Sequence, residues 1–416
     1  MAKIEEPEKA REPSPSADGK ASIAGLQRNV FALGWVSFFG GLSQDMILPI
    51  LPLFLASALG LSKEFIGLIE GIVTTTVSIL KILAGYASDR AGNRKSLVFA
   101  GYLLSALSRP LLAFAGSGAA VLGLRFVDGV GKGVKDAPRD ALIAGSSDLR
   151  KRGLSFGYHR MLDTFGSVVG PLITFGVLAL FASSPTDQTY RLIFLLAGIP
   201  ALVAVVIVGV FVHERRVVGA SRPALSLADL RGPFAVFLGI MLVFTLGNSS
   251  DAFLILRAQN VGVAVIAIPL VYALFNLFYA ALSLPAGGLS DRIGRRKVIG
   301  FGWLIYALVY LGFGLADAPW QIWLLYSLYG LYYATTEGVA KAMVADLVEP
   351  ARRGTAYGLY NAAIGVMALP ASVIAGLLWD RVSPSAPFLF GAAAAGLALV
   401  LLLALRPDQA ELASRG

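Results

Sequence analysis

Gly85-Tyr86-Ala87-Ser88-Asp89-Arg90-Ala91-Gly92-Asn93-Arg94-Lys95 returns 202 residues later as Gly287-Gly288-Leu289-Ser290-Asp291-Arg292-Ile293-Gly294-Arg295-Arg296-Lys297. A second pair of segments keeps almost the same register. Asp140-Ala-Leu-Ile-Ala144 with Arg152-Gly153 matches Lys341-Ala-Met-Val-Ala345 with Arg353-Gly354 at an offset of 201. Chance does not produce two such matches, so the chain is an internal duplication. Each copy of the first motif joins two long apolar stretches. Two like-oriented halves of this kind imply a pseudo-twofold axis along a membrane normal, with a path between them.

Apolar residues make up 56 % of the chain and charged residues 15 %, a balance no ordinary soluble domain has. Stretches of about 20 apolar residues recur along it, each long enough at helical rise to cross a hydrocarbon core about 30 Å thick. The expected fold class is an all-α membrane protein with twelve transmembrane helices in two pseudo-symmetric six-helix halves. The helices are predicted near 29–58, 64–88, 96–115, 118–145, 153–182, 189–213, 232–257, 263–290, 297–315, 319–347, 353–379 and 385–405. The chain then divides into a disordered cytoplasmic tail (1–28), an N-terminal half (29–213), a polar linker (214–231), a C-terminal half (232–405) and a second tail (406–416). The first tail has no apolar h-region, so no cleavable signal peptide is expected.

The net charge of +9 is a matter of topology, not of nucleic-acid binding. Arg and Lys crowd the loops near 90–95, 150–152, 215–231, 292–297 and 352–353, whereas the opposite loops hold Lys63, Arg191, Arg257 and Arg381. By the positive-inside rule the crowded side is cytoplasmic, and an even helix count puts both termini there. The expected location is a bacterial inner (plasma) membrane. Trp320 and Trp379 fall at outer helix ends, where an interfacial aromatic belt would place them. The chain has no cysteine, two His and six Met, so no disulfide or thiolate site exists and soft-metal chemistry is not indicated. Neither a metal nor a cofactor is expected.

The doubled G-x-x-x-D-R-x-G-x-[RK]-[RK] resembles the loop motif of the major facilitator superfamily, and the likeness extends from Asn29 to Pro407. The resemblance implies alternating access, with Gly85, Asp89, Arg90 and Gly92 and their counterparts Gly287, Asp291, Arg292 and Gly294 as a conformational latch on the cytoplasmic side. The first copy departs from the pattern at Ala87 and Asn93, which points to a looser latch. Arg125-Phe-Val-Asp128-Gly129-Val-Gly131-Lys132-Gly133 is similar to the family's R-x-x-Q-G-x-G segment, with Asp128 in place of Gln and Lys132 added. Gly166-Ser-Val-Val-Gly170-Pro171 is similar to the G-x-x-x-G-P core associated with proton antiporters, although Thr174 and Phe175 stand where a glycine pair usually follows. The resemblance favours efflux. For Gly166 and Gly170 alone, close packing between helices is the simpler reading. The Gly129–Gly133 stretch fits no phosphate-binding loop and lies within a span, so nucleotide binding is rejected.

Charges inside spans are costly and mark functional sites by default. Predicted helix 4 carries Arg125, Asp128, Lys132, Lys135, Asp136, Arg139 and Asp140; positions 125, 128, 132, 136 and 139 share one helical face that cannot meet lipid. A self-compensating ladder of ion pairs along the helix is the alternative reading. Asp45, Lys132, Asp136, Asp251, Glu337 and Lys341 are expected near the bilayer centre, on helices 1, 4, 7 and 10, which line the path in this superfamily. Asp45 and Asp251 sit in matched Ser-Gln-Asp and Ser-Ser-Asp segments, and Asp136 corresponds to Glu337 at the 201 offset. Lys132 and Asp136 are expected to work with Glu337 and Lys341 as a central charged cluster. Helix 2 adds Glu70 and Lys81, and helix 5 adds His159, Arg160 and Asp163. His159 and Asp163, four apart, read either as a proton relay or as a satisfied histidine and its neighbour. Tyr360 and Asn361 complete the candidate set.

A cavity with so many charges suits a polar or ionised metabolite better than a greasy drug. A carboxylic acid in low dielectric can hold a proton near neutral pH, so proton coupling is physically available. The expected activity is secondary transport of a small polar or charged solute by alternating access, with proton-coupled efflux favoured. The expected partners are that solute, protons and the lipid bilayer, with the chain functional as a monomer. The alternatives are proton-coupled import, separable by flux direction in vesicles, and a non-transporting membrane sensor, which would bind ligand without counterflow. No nucleophile, metal cluster or cofactor loop points to an enzyme.

Overall fold

The computed structural model describes residues 22–23, 26–91, 93–147, 152–181, 186–214, 232–349 and 352–405, with backbone only at 22, 23, 89, 91, 152 and 153. Gly92, most of both tails and residues 215–231 of the expected linker lie outside the described residues, as does the Asp89 side chain. The tail reading needs one correction, since Ser22–Ile23 and Leu26–Gln27 form a two-residue antiparallel ladder.

Among the described residues twelve long helical segments follow: α1 Arg28–Ala58, α2 Lys63–Ala91, α3 Arg94–Leu111, α4 Gly118–Gly145, α5 Arg152–Leu180 and α6 Asp187–Phe211, then α7 Pro233–Asn260, α8 Ile268–Ile293, α9 Arg295–Leu315, α10 Pro319–Asp346, α11 Arg353–Arg381 and α12 Ala386–Leu405. Among the described residues, ten are long and apolar enough to cross a membrane. The other two are α4 and α10. They are just as long, 28 residues each, but carry the charged and hydroxyl-bearing side chains discussed below.

Two helices expected to be continuous are broken. In α1 the regular helix ends at Ile47, resumes for Leu51–Leu53 and closes in a π-helical turn, Phe54–Ala58. Pro49 explains the break, because its nitrogen cannot donate to the carbonyl one turn back and its ring crowds that turn. In α7 the first segment ends at Gly247 and the second starts at Ala252. The intervening Asn248-Ser249-Ser250-Asp251 is rich in side chains that compete for backbone hydrogen bonds, and the Ser250 hydroxyl accepts from the Ala252 amide at 3.3 Å. The freed carbonyl of Gly247 is taken up by the Tyr306 hydroxyl at 3.0 Å. The second segment also runs to Asn260, three residues past the predicted end.

Glycines set how closely helices approach. A methyl group on Gly166 would lie 2.3 Å from the Phe38 carbonyl oxygen, and one on Gly170 would lie 2.7 Å from that of Leu42. These residues let α5 lie directly on α1, and Thr174 adds a hydrogen bond to the Met46 carbonyl at 2.8 Å. The same device joins the first six helices to the last six. On the face opposite the basic loops, a methyl group on Gly67 of α2 would meet the Ser372 oxygen at 2.2 Å, and one on Gly365 of α11 would meet the Ser78 Cβ at 2.0 Å. Thr75 donates to the Gly365 carbonyl at 2.7 Å, and the Glu64 amide to Asp380 at 2.8 Å. That face is closed.

Two of the four cations of the sparse face have structural employment. Arg191 donates to the Ala113 and Ala115 carbonyls at the end of α3, and Arg257 to those of Phe313, Gly314 and Ala316 at the end of α9. Each guanidinium satisfies carbonyls that a helix end leaves without a partner. Of the two belt tryptophans, Trp320 is exposed as expected, but Trp379 is buried between Phe253 and Phe388.

Candidate functional site

The breaks in α1 and α7 face each other across a cavity of about 290 Å³ between the two sets of six helices. Its polar wall comes from Glu70, Asn248, Ser249, Asp251 and Tyr333, and its apolar wall from Leu48, Leu51, Pro52, Ile255 and Ile364. Asp251 stands at the α7 break. The Tyr329 hydroxyl donates to its Oδ1 at 2.7 Å, and the Tyr333 hydroxyl to its Oδ2 at 3.4 Å. Tyr329 and Tyr333 lie four apart on α10 and so project from one face.

Glu70 belongs to this wall and also to a buried ion network. Arg125 reaches its carboxylate at 3.2 Å and that of Asp128, one turn along α4, at 3.2 Å. Asp128 in turn binds Arg109 of α3 at 3.1 Å, and Arg109 donates to the Gly40 carbonyl at 3.1 Å and the Ser43 hydroxyl at 2.9 Å. Arg109, Arg125 and Asp128 are all buried. Two cations and two anions therefore neutralise one another while tying α1, α2, α3 and α4 together. Arg109 is absent from the sequence-derived set, though an arginine inside an apolar stretch and followed by Pro110 is the signal that should have placed it there.

The rest of the α4 stripe divides. Asp136 pairs with Lys81 of α2 at 3.8 Å and with Arg139 at 3.6 Å, and Arg139 also reaches Asp140 at 3.2 Å. Lys135 is buried over the Tyr102 ring, 4.2 Å from its centre. Lys132 forms no ion pair or hydrogen bond among the described residues. The expected cluster of Lys132 and Asp136 with Glu337 and Lys341 is thus not assembled. Glu337 pairs with Lys341 at 3.2 Å on its own helix, and its partner across the junction is Arg160 of α5, at 3.9 Å. Tyr279 of α8 hydrogen-bonds both Arg160 and Glu337. A second cavity of about 530 Å³ opens here and extends to Asp291 and Arg295 on the basic face.

Asp45 and Asp251 are set differently. Asp45 is buried within the regular part of α1 beside Ser167 of α5, with Lys132, Asp163 and Arg109 as charged neighbours. Their Ser-x-Asp segments align at an offset of 206, not 201 or 202, so the match is local and does not follow the repeat. His159 shares a 2.6 Å hydrogen bond with Ser37 of α1, and no hydrogen bond joins it to Asp163, which instead pairs with Arg160 at 3.7 Å. The geometry is that of a satisfied histidine. Tyr360 is buried in α11, and Asn361 donates to the Tyr357 carbonyl of the same helix at 2.8 Å.

The two copies of the loop motif differ as well. In the second, Arg295 joins Asp291 at 2.5 Å to Asp346 at 3.3 Å, clasping the α8–α9 corner to the end of α10, while Gly294 turns the chain at φ +95°, where other residues are strained. In the first, Asn93 replaces Arg295 and Gly145 replaces Asp346, and the Asn93 side chain caps α3 by accepting from the Ser96 amide at 3.3 Å. Asp346→Asn should therefore raise amide exchange in the last turn of α10 up to about fivefold, the scale of one exposed ion pair. Unchanged exchange there would mean that Arg295 clasps nothing.

Helices in two sets of six around a polar cavity, sealed at one face, define a membrane transport protein. The chain belongs to the major facilitator superfamily, whose family model matches residues 33–250 and 234–415. An uncharacterized MFS-type transporter of Methanocaldococcus jannaschii is 36 % identical over 91 % of this chain and 95 % of its own length. The multidrug resistance protein MdtH of Aeromonas hydrophila is 33 % identical over 31 % of this chain and 32 % of its own length. Among solved structures, the peptide transporter POT in complex with sulfate superposes with a TM-score of 0.76 at 16 % identity, covering 94 % of this chain and 97 % of that one. The protein is a transporter of this family and not an enzyme.

Proposed function

We propose that the protein is a proton-coupled secondary transporter that exports a small polar or charged solute. Its halves, 29–213 and 232–405, rock about the central cavity, and all twelve helices span the membrane. The polarity of α4 and α10 is that of helices whose charged faces point inward, where lipid does not reach. The observation that carries the reading is the cavity itself, which sits at two helix breaks, has two carboxylates in its wall and lies behind the glycine seam of α2 and α11. Broken helices at a repeat interface are where transporters of this general plan place substrate and coupling-ion sites.

With the basic loops cytoplasmic in a bacterial plasma membrane, the sealed face is external and the structure corresponds to an inward-open state. Both termini are then cytoplasmic, and nothing in the site calls for more than one chain. Export is supported by the partial likeness to a multidrug resistance protein and by the Gly166, Gly170 and Pro171 segment.

The test uses proteoliposomes loaded with a pH-sensitive dye under an imposed pH gradient, with candidate solutes first chosen by thermal-shift screening, since any ligand of the native state stabilises it. A transported solute should drive proton flux opposite to its own movement. Asp45→Asn and Asp251→Asn should each cut that proton-driven flux by about tenfold or more, the loss of at least about 1.4 kcal/mol of coupling. Full pH-dependent flux in both variants would show these acids to be structural.

A further inference from the structure

We infer that the central cavity is a cation site, taking a small organic ammonium ion against Asp251 in exchange for a proton on the same carboxylate. The exchange rests on the transport reading above; the charge preference of the site does not.

The lining of this cavity contains two acids and no lysine, arginine or histidine. One acid is already neutralised, because Glu70 holds Arg125 at 3.2 Å. The other is not. Among the described residues no cation lies within 4 Å of Asp251, and its partners are two phenol hydroxyls. The other titratable groups around it are Glu70 of α2, Tyr272 of α8, Tyr310 of α9 and Tyr326 and Tyr332 of α10, none of which supplies positive charge near neutral pH. A carboxylate held in a largely protein-walled cavity is costly unless something compensates it, and two hydroxyl donors do so only in part. The site therefore lacks one positive charge, which either a proton or a bound cation supplies. An anionic solute would add a second uncompensated charge.

The rest of the wall narrows the cation. The Tyr272 and Tyr333 rings border the cavity, and Leu48, Leu51, Ile255 and Ile364 face the same space. Aromatic and aliphatic surface suits an alkylated ammonium, whose charge is spread over methyl groups and attracted by ring faces. A bare metal ion would need several oxygen or nitrogen ligands, and among the described residues no group of three His, Cys, Asp or Glu side chains could hold one. A volume of about 290 Å³ admits a molecule of choline or benzylammonium size. Because one carboxylate serves both occupants, they exclude each other. As the cation enters, the Asp251 proton passes to water, so the site is neutral before and after and one positive charge replaces another.

The experiment measures binding to the full-length protein in lipid nanodiscs by calorimetry, using three probes of one shape: choline, its neutral isostere 3,3-dimethylbutan-1-ol and the anion 3,3-dimethylbutanoate. Benzyltrimethylammonium serves as a larger cation. Both cations should bind on the order of thirtyfold tighter than the neutral probe, the scale of desolvated contacts between a cation and aromatic rings. Their affinity should fall as pH is lowered, with one proton released per cation bound at acid pH in weak buffer. Asp251→Asn should abolish the charge preference and the proton release, and Asp251→Glu should restore both. Should the asparagine variant fail to melt cooperatively, proton release by the wild type and by the glutamate variant decides the matter. Preference for the neutral or anionic probe, binding of none of the four, or cation binding without proton release would each overturn the proposal. The transport reading fails separately. Cation binding with proton release but no flux in vesicles would leave the site and remove transport, whereas proton flux driven by an anion would do the reverse.

Discussion

Asp128→Leu is expected to destabilise the protein by about 3–5 kcal/mol, read as a lower melting temperature and lower yield in mild detergent. The carboxylate it removes sits between Arg125 at 3.2 Å and Arg109 at 3.1 Å, with all three side chains buried. Glu70 can neutralise only one of the two guanidinium groups, so the variant leaves a net positive charge deep in the first six helices. The decisive comparison is the double variant Arg109→Met with Asp128→Leu. It removes one charge of each sign and keeps the Arg125–Glu70 pair. Its losses are the Arg109 hydrogen bonds to Gly40 and Ser43, about 1 kcal/mol each. The double variant should therefore be more stable than the single one. If the two melt together, shape and not charge balance is what Asp128 provides.

Gly67→Val should block the cycle without unfolding the protein. Its first added carbon would fall 2.2 Å from the backbone oxygen of Ser372, so α2 and α11 must separate on the sealed face before valine fits. Overpacking of this kind costs about 1–3 kcal/mol. Here the cost falls on one conformation only, so the balance between conformations should shift by roughly 5- to 150-fold toward the one in which that face is open. Transport, which needs both, should drop to match. Because the chain has no cysteine, spin labels on cysteines replacing Glu64 and Arg381 would report the separation of the seam against an empty background. Gly239→Val in α7, where nothing lies within 4 Å, is the control and should change neither quantity. An unchanged label distance with near-native transport in Gly67→Val would show that the seam does not move.

The architecture was readable from the sequence because its signals are long-ranged and redundant. A motif repeated 202 residues apart, apolar runs of bilayer length and one-sided basic loops all point to the same plan. Glu70 and Asp251 stand out in the sequence as acids inside spans, which need a cavity or a partner, and both line the central cavity. Partner choice was much less legible. The α4 stripe shows which side chains share a face but not which neighbour that face meets: Arg125 and Asp128 turn to α2 and α3, and Lys135 turns to an aromatic ring on α3. Glu337 was matched to helix 4 by repeat symmetry, whereas the structure joins it to Arg160 and Tyr279. Symmetry relates positions within the two halves and says little about contacts between them. Tyr329 and Tyr333, four apart, carry no charge that marks them in the sequence, and only the structure shows their hydroxyls on Asp251.

The unequal loop motifs have a mechanical consequence. A duplicated molecule starts with two identical corners, but here Arg295 ties Asp291 to Asp346 in the second, and that particular pair has no copy in the first, where Asn93 and Gly145 stand at the matching places. Any parting of α10 from the α8–α9 corner has to break the Arg295–Asp346 contact, a step that the α2–α3 corner cannot repeat with the same residues, so the two copies of the motif no longer have to yield through the same contacts.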